Sequence, residues 1–230
     1  MSRKIFLALA CGLAVIAAST PVATATTIAT WTFESVLTPP GPGIGPLAPE
    51  VGAGVATAFH ASPGAFTTPS GNGSAQSYSS NSWTVGDYYQ FQVSTLGESG
   101  IEFAWDQTRS SSGPGFGDTG NPNFKLQYGT DGVNYTDHVN YLVPVITWSS
   151  STPDATLTTS FSADLSAVTA LDNQGSVYFR LTSILPDQAT STTGTSRVDN
   201  ISVTSIPEPA SLVLGAAGLV AMGFKRRRGG

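Results

Sequence analysis

The sequence predicts an all-β fold: one β-sandwich domain over residues 26–205, of jelly-roll or related architecture. Three observations carry that expectation. The stretch is rich in Ser, Thr, Gly and aromatic residues, poor in Lys, Leu and Glu, and has no long segment of 3.6-residue hydrophobic period. Its clearest patterns alternate with period two, as strands with one buried face do. Turn residues punctuate those patterns at short intervals.

Taken in order, the strongest alternation puts Ile101, Phe103, Trp105 and Gln107 on one face. Glu102, Ala104, Asp106 and Thr108 lie on the other. A second run turns Phe124, Leu126 and Tyr128 inward against Lys125 and Gln127. A third buries Val177, Phe179 and Leu181 and exposes Tyr178 and Arg180. Further strands are expected at 27–34, 55–60, 88–94, 141–148, 156–161 and 198–204. Asp131-Gly132 and Asn173-Gln174-Gly175 mark turns. Pro144 cannot donate to a ladder, so 141–148 is placed at an edge or bulge. Segments 37–54, 62–82 and 110–122 are dominated by Pro, Gly, Ser, Thr and Asn and read as surface loops. Asp164 is positioned to cap a short helical turn that sets Val168 and Leu171 against the sheet.

The ends of the chain follow a different grammar. Arg3-Lys4, an apolar run from Ile5 to Ala18 and an Ala23-Thr24-Ala25 site read as a secretory signal peptide over residues 1–25. Cys11 raises a lipoprotein alternative, but Ala8-Leu9-Ala10-Cys11 lacks the usual Leu three positions upstream. With the signal removed the chain has no cysteine, which excludes disulfides, thiolate nucleophiles and cysteine metal sites.

At the other end Ile206-Pro207-Glu208-Pro209 leads into an uncharged, largely apolar run from Ala210 to Phe224. Lys225, Arg226, Arg227 and Arg228 stop it two residues before the end. Fifteen residues of helix span roughly 22 Å, short of a roughly 30 Å hydrocarbon core, so flanking residues must help cover the difference. The basic stop sets a cytoplasmic orientation. This order of motif, hydrophobic helix and basic cluster resembles the PEP-CTERM sorting signal of Gram-negative bacteria, with Ile206 where Val is usual. The resemblance covers residues 206–228 of a C-terminal sorting segment taken as 206–230, and implies handling by an exosortase, a membrane-embedded cysteine transpeptidase-like enzyme. It also implies membrane residence through the C-terminal helix before processing, then delivery to the cell surface or exopolysaccharide matrix. The chain itself leaves a plain C-terminal anchor as the alternative.

Charge narrows the partners. Of ten Lys and Arg, only Arg109, Lys125, Arg180 and Arg197 lie in 26–205, against fourteen of the fifteen acids, so the domain carries 4 − 14 = −10. Such a body offers no counterion-release surface for nucleic acid.

Thr30-Trp31-Thr32-Phe33-Glu34 and Arg197-Val198-Asp199-Asn200-Ile201-Ser202-Val203 resemble the first and last strands of jelly-roll domains in surface proteins and carbohydrate-binding modules. In several such families an acid on each strand helps hold a structural Ca²⁺; by position the candidates are Glu34 and Asp199. Oxygen ligands of this type suit Ca²⁺. The alternative is that both acids are solvated or pair with Arg197.

Catalytic signatures are mostly absent. His60 and His138 are the only histidines, too few for a three-histidine zinc site. Gly97-Glu98-Ser99-Gly100 falls one residue short of a nucleophile elbow. Glu102 and Asp106 share a strand face as a glycosidase pair would, but the commoner reading is two solvent-facing acids. Trp83, Tyr88, Tyr89, Trp105, Tyr128, Tyr135, Tyr141 and Trp148 are mostly expected in the core or in cross-strand pairs, with a sugar-stacking platform as the functional alternative. The expectation is a non-enzymatic, exported surface or matrix protein. A carbohydrate-binding module acting on exopolysaccharide is the first alternative and a divergent extracellular hydrolase the second.

Overall fold

The computed structural model describes residues 25–35, 43–118, 120–187 and 194–206. Residues 1–24 of the expected signal peptide, Pro207, Glu208, Pro209, the apolar run 210–224 and the basic stop 225–228 lie outside them. No helix among the described residues is long and apolar enough to cross a membrane.

The described residues form β1 (Thr26–Trp31), β2 (Val51–Gly52), β3 (Gly54–Phe59), β4 (Phe66–Thr67), β5 (Tyr78–Asn81), β6 (Tyr88–Val93), β7 (Ile101–Arg109), β8 (Phe124–Gly129), β9 (Thr136–Tyr141), β10 (Ser160–Asp164), β11 (Val177–Ser183) and β12 (Thr195–Ser205). The only helical element among them is the 3-10 turn Thr169–Leu171. The first sheet runs β10-β7-β12-β1-β2, with β5 also on β12 and β4 on β5; the second runs β3-β6-β11-β8-β9. All the strand pairings are antiparallel.

Strand β12 organises the first sheet. One edge pairs with β7 from Ser196 to Ser205. Its other edge is shared: Ile201–Ser205 pair with β1, and Thr195–Val198 pair with β5. The chain's first strand and a strand from its Ser-rich middle thus lie on one edge of its last.

Between the sheets the alternation behaves as expected. Ile101, Phe103, Trp105 and Gln107 point inward, as do Val177, Phe179 and Leu181. Phe103 and Phe179 stack across the two sheets with ring centroids 4.6 Å apart, and Trp31 meets Phe91 edge-on at 5.4 Å. Each such buried side chain contributes roughly 1.5–3 kcal/mol of transfer free energy. Gln107 is a buried polar member, satisfied by Tyr141 Oη donating to its Oε1 at 2.7 Å and by its own Nε2 donating to Ser196 Oγ at 3.1 Å.

Three expectations are corrected. Residues 62–82 contain β4 and β5, because Ser79 and Ser80 pair on the β12 edge despite having no apolar pattern. Residues 141–148 are a strand only at Tyr141; beyond it the chain runs irregularly beside the end of β7, with Pro144 accepting from Arg109 N–H. Asp106 is 8% exposed, since residues of 70–77 and 149–159 fold over that end of the outer face. Asp164 accepts from Ser166 N–H at 2.9 Å at the close of β10, upstream of the 3-10 turn, and Leu171 is buried as expected.

Candidate functional site

Glu34 and Asp199 converge on one loop. Strand β12 has a bulge between Asp199 and Ser202, where Asn200 takes a left-handed conformation, φ 48°. A bulge re-aims side chains. Here Asn200 Nδ2 donates to Asp106 Oδ2 at 2.8 Å, while Asp199 turns toward residues 71–76. Asp199 Oδ2 accepts from Asn72 N–H at 2.8 Å and Ser74 O–H at 2.7 Å; Oδ1 accepts from Asn200 N–H at 2.8 Å. Glu34 Oε1 accepts from Gln76 N–H at 2.6 Å. Burial, reinforced by the neighbouring Asp106 charge, pushes the Asp199 carboxyl up to about 6. Gly71 has no room for a β-carbon, which would fall 2.3 Å from Asp199 Oδ2. The two acids therefore close a hydrogen-bonded clasp that ties the turn after β1 and the bulge of β12 to one loop. Three N–H and O–H donors already hold Asp199, and no cluster of three or more acids and histidines suited to a metal occurs among the described residues. This donor set fits a protein clasp better than a Ca²⁺ cage, and nothing below is routed through a metal. Arg197 turns elsewhere: its Nη1 donates to Ser70 O at 2.9 Å and its guanidinium lies 5.2 Å from the Trp148 ring centre.

A second constellation has a catalytic outline. His60 Nε2 lies 3.0 Å from Ser80 Oγ, and its Nδ1 lies 3.2 Å from Asp87 Oδ2. Ser, His and Asp in that order are the parts of an acyl-transfer triad. Their surroundings are those of a core. Ser80 is 1% exposed and its Oγ also meets Tyr89 Oη at 3.0 Å. The His60 ring is packed edge-on by Trp83 at 4.5 Å and Phe66 at 5.4 Å. Asp87 is spent on the backbone, accepting from Ala61 N–H at 2.8 Å and Thr84 N–H at 2.7 Å. Those hydrogen bonds, with the His60 contact, outweigh burial and hold its carboxyl below the usual range. A nucleophile sealed in this way has no route to a substrate.

The outer face of the second sheet carries a third arrangement. Phe59, Tyr88, Arg180 and Tyr135 form a ladder of stacked planar groups across β3, β6 and β11 to the β8–β9 turn. Phe59 and Tyr88 stack with centroids 5.5 Å apart and planes 20° apart. Arg180 Cζ lies 3.8 Å from the Tyr88 ring centre and 3.6 Å from that of Tyr135. Gln90 Oε1 locks the array by accepting from Arg180 Nε at 2.8 Å and Tyr135 Oη at 2.9 Å. A concavity of about 280 Å³ beside it is lined by Val85, Tyr88, Lys125, Gln127, Arg180 and Thr182. A larger one of about 440 Å³ opens at the start of β12, bordered by Thr67, Ser79, Thr147, Thr195 and Arg197.

Of the eight aromatics expected mostly in the core or in cross-strand pairs, Trp83, Tyr89, Trp105, Tyr141 and Trp148 are buried. The sequence named Tyr88 and Tyr135 without joining them to Arg180. It treated His60 only as a missing zinc ligand, because residues 20 and 27 positions apart in sequence give no local pattern with it.

No curated protein matches the chain. Among solved structures, the K2 cleaved adhesin domain of Lys-gingipain matches with a TM-score of 0.41 and 13% identity, over 76% of this chain and 96% of that one. The enzymatically active domain of tailspike protein 4 from bacteriophage CBA120 matches with a TM-score of 0.32 and 9% identity, over 65% of this chain and 19% of that one. Both likenesses are too distant to bear on function. The family comparison is local: residues 205–228 match the PEP-CTERM protein-sorting motif. The described residues form an all-β, two-sheet body, and the chain carries a PEP-CTERM sorting motif at residues 205–228.

Proposed function

We propose that this is an exported, non-enzymatic protein of the cell surface or exopolysaccharide matrix of a Gram-negative bacterium, delivered by an N-terminal signal and processed by an exosortase. Its jelly-roll-like sandwich is the cargo. The motif at 205–228 carries this reading, because it joins Pro-Glu-Pro, an apolar run and a basic stop in the order of a sorting signal. The enclosure of Ser80, His60 and Asp87 removes that constellation as a catalytic site. Fractionation of the host tests the sorting step. With exosortase present the protein is expected in the surface or extracellular fraction; in an exosortase deletion it stays with the inner membrane. An unchanged distribution would leave a plain anchor.

The ladder on the second sheet favours a second reading in which the cargo binds polysaccharide. Rigid aromatic groups offer large contact area at low entropic cost, and the neighbouring Gln90, Gln92 and Gln127 supply amides suited to hydroxyls. Full chain incubated with insoluble exopolysaccharide from the host is expected to sediment with it. Tyr88→Ala should lose most of that retention while keeping the wild-type melting temperature within a few degrees. Retention equal to wild type would remove the ladder from the reading.

A further inference from the structure

We infer that Arg180 is a carboxylate-recognition residue, and that the ladder face binds an acidic sugar unit of a polysaccharide. This deepens the polysaccharide-binding reading and rests on it, but it makes a separate claim about charge.

The domain has four basic side chains among fourteen acids, and two of them, Lys125 and Arg180, line the same concavity. Strand register brings them together: Thr182 of β11 pairs with Lys125 of β8, and Arg180 with Gln127. Lys125 is neutralised by Asp137, with Nζ 3.0 Å from the carboxylate. Arg180 has no carboxylate within ion-pair distance among the described residues, whose ion pairs are His60–Asp87 and Lys125–Asp137.

The hydrogen bonding of Arg180 is one-sided. A guanidinium has five N–H donors. Here Nε is used on Gln90, and neither terminal nitrogen has a hydrogen-bond acceptor among the described residues. Both faces of the group are covered by Tyr88 and Tyr135. Only its edge, the two-nitrogen fork, is left for a partner. That edge matches the two oxygens of a carboxylate. The aromatic clamp and Gln90 fix the fork before a ligand arrives, which reduces the ordering cost of binding.

The rim selects among anions. Val85 is 63% exposed and Phe59 47%, giving apolar patches on which the C–H face of a sugar ring can rest. Lys125 and Gln127 border the same hollow. An acidic sugar ring in the hollow meets Val85, Lys125 and Gln127 as well as the fork; a bare anion uses the fork alone. The other two cations, Arg109 and Arg197, border the larger concavity, but there Arg109 Nε and Nη1 donate to Val143 O and Ser110 O and Arg197 Nη1 donates to Ser70 O, so neither presents a free fork.

Calorimetric titration of the purified full chain tests the inference with three probes: trigalacturonate, its fully methyl-esterified form, and galacturonate monomer. Trigalacturonate is expected to bind at least ten-fold more tightly than the ester, and the monomer more weakly than the trimer. Arg180→Gln should erase the preference for acid over ester, and Arg180→Lys should restore only part of it, since a point charge lacks the fork. Arg197→Gln, remote from this face, should leave the preference intact. Equal binding of acid and ester would overturn the carboxylate claim while sparing the polysaccharide-binding reading. An acid preference that survives Arg180→Gln would place it elsewhere, and an absence of binding by all three probes would reject the assignment. If Arg180→Gln fails to fold, the acid-to-ester ratio of the wild-type chain and the Arg180→Lys variant still decide the matter.

Discussion

Trp83→Ala is expected to lower the stability of the domain by about 3–5 kcal/mol, the range for removing a large aromatic from a packed core. Trp83 is fully buried, with ring centroids 4.5 Å from His60, 4.9 Å from Tyr89 and 5.4 Å from Phe124. Its Nε1 donates to Ser80 O at 3.0 Å, so the change also leaves that carbonyl short of a donor. For a domain of this size the loss corresponds to a fall of roughly 6–20 °C in melting temperature. Trp83→Phe should fall between wild type and Ala, because it keeps a ring and loses the N–H. Thermal unfolding followed by near-ultraviolet circular dichroism reads all three. A shift of only a degree or two in Trp83→Ala would mean that this region is not the packed core described.

Asp87→Ala comes next, at about 3 kcal/mol, because it strips acceptors from buried donors. The Ala61 and Thr84 N–H groups would lose their partner, as would the His60 ring. The pH dependence has a definite sign. Those interactions hold the Asp87 carboxyl below its usual 3.8, so its stabilisation is fully present above that value and is lost as pH falls through the folded-state value. The gap between wild type and Asp87→Ala should therefore be constant near neutrality and narrow below about pH 4. Asp187 adds a smaller opposing effect. Burial raises its carboxyl, with the Asp87 charge contributing, and removing Asp87 should let it fall. Denaturant melts at several pH values measure the gap; a gap that widened on acidification would contradict the assigned interactions. Ser80→Ala should cost less, about 1–2 kcal/mol, since His60 Nε2 loses its partner while Tyr89 Oη keeps Ser196 O.

Much of the sandwich was legible because its central strands write their burial into the sequence. Strands β7, β8 and β11 alternate between core and surface residues, and β12 follows from its Val198, Ile201 and Val203. Strand β5 was not legible. Tyr78-Ser79-Ser80-Asn81 is buried by pairing and by what covers it, and serine carries no signal for that. Strand β9 is exposed at five of its six positions, so it lacks the apolar half of an alternation. Asp106 was read as solvent-facing because two-fold alternation describes one sheet and says nothing about a loop folded over it. The clasp was half legible: Glu34 and Asp199 were singled out together, but their partners in 71–76 lie in a Ser/Gly/Asn segment without pattern. The ladder was invisible for another reason. Phe59, Tyr88, Tyr135 and Arg180 come from four separate stretches and meet only through strand order β3-β6-β11-β8-β9.

The sorting motif, by contrast, was legible from the sequence alone, because its Pro-Glu-Pro, apolar run and basic stop follow one another within two dozen residues. Its most direct test is the intact mass of the chain recovered from an exosortase-bearing host, wild type beside Glu208→Ala. The wild-type protein is expected to have lost the apolar run and basic stop. The variant is expected to keep both, with secretion across the inner membrane unchanged. The same C-terminus in the two proteins, processed or unprocessed, would contradict the account.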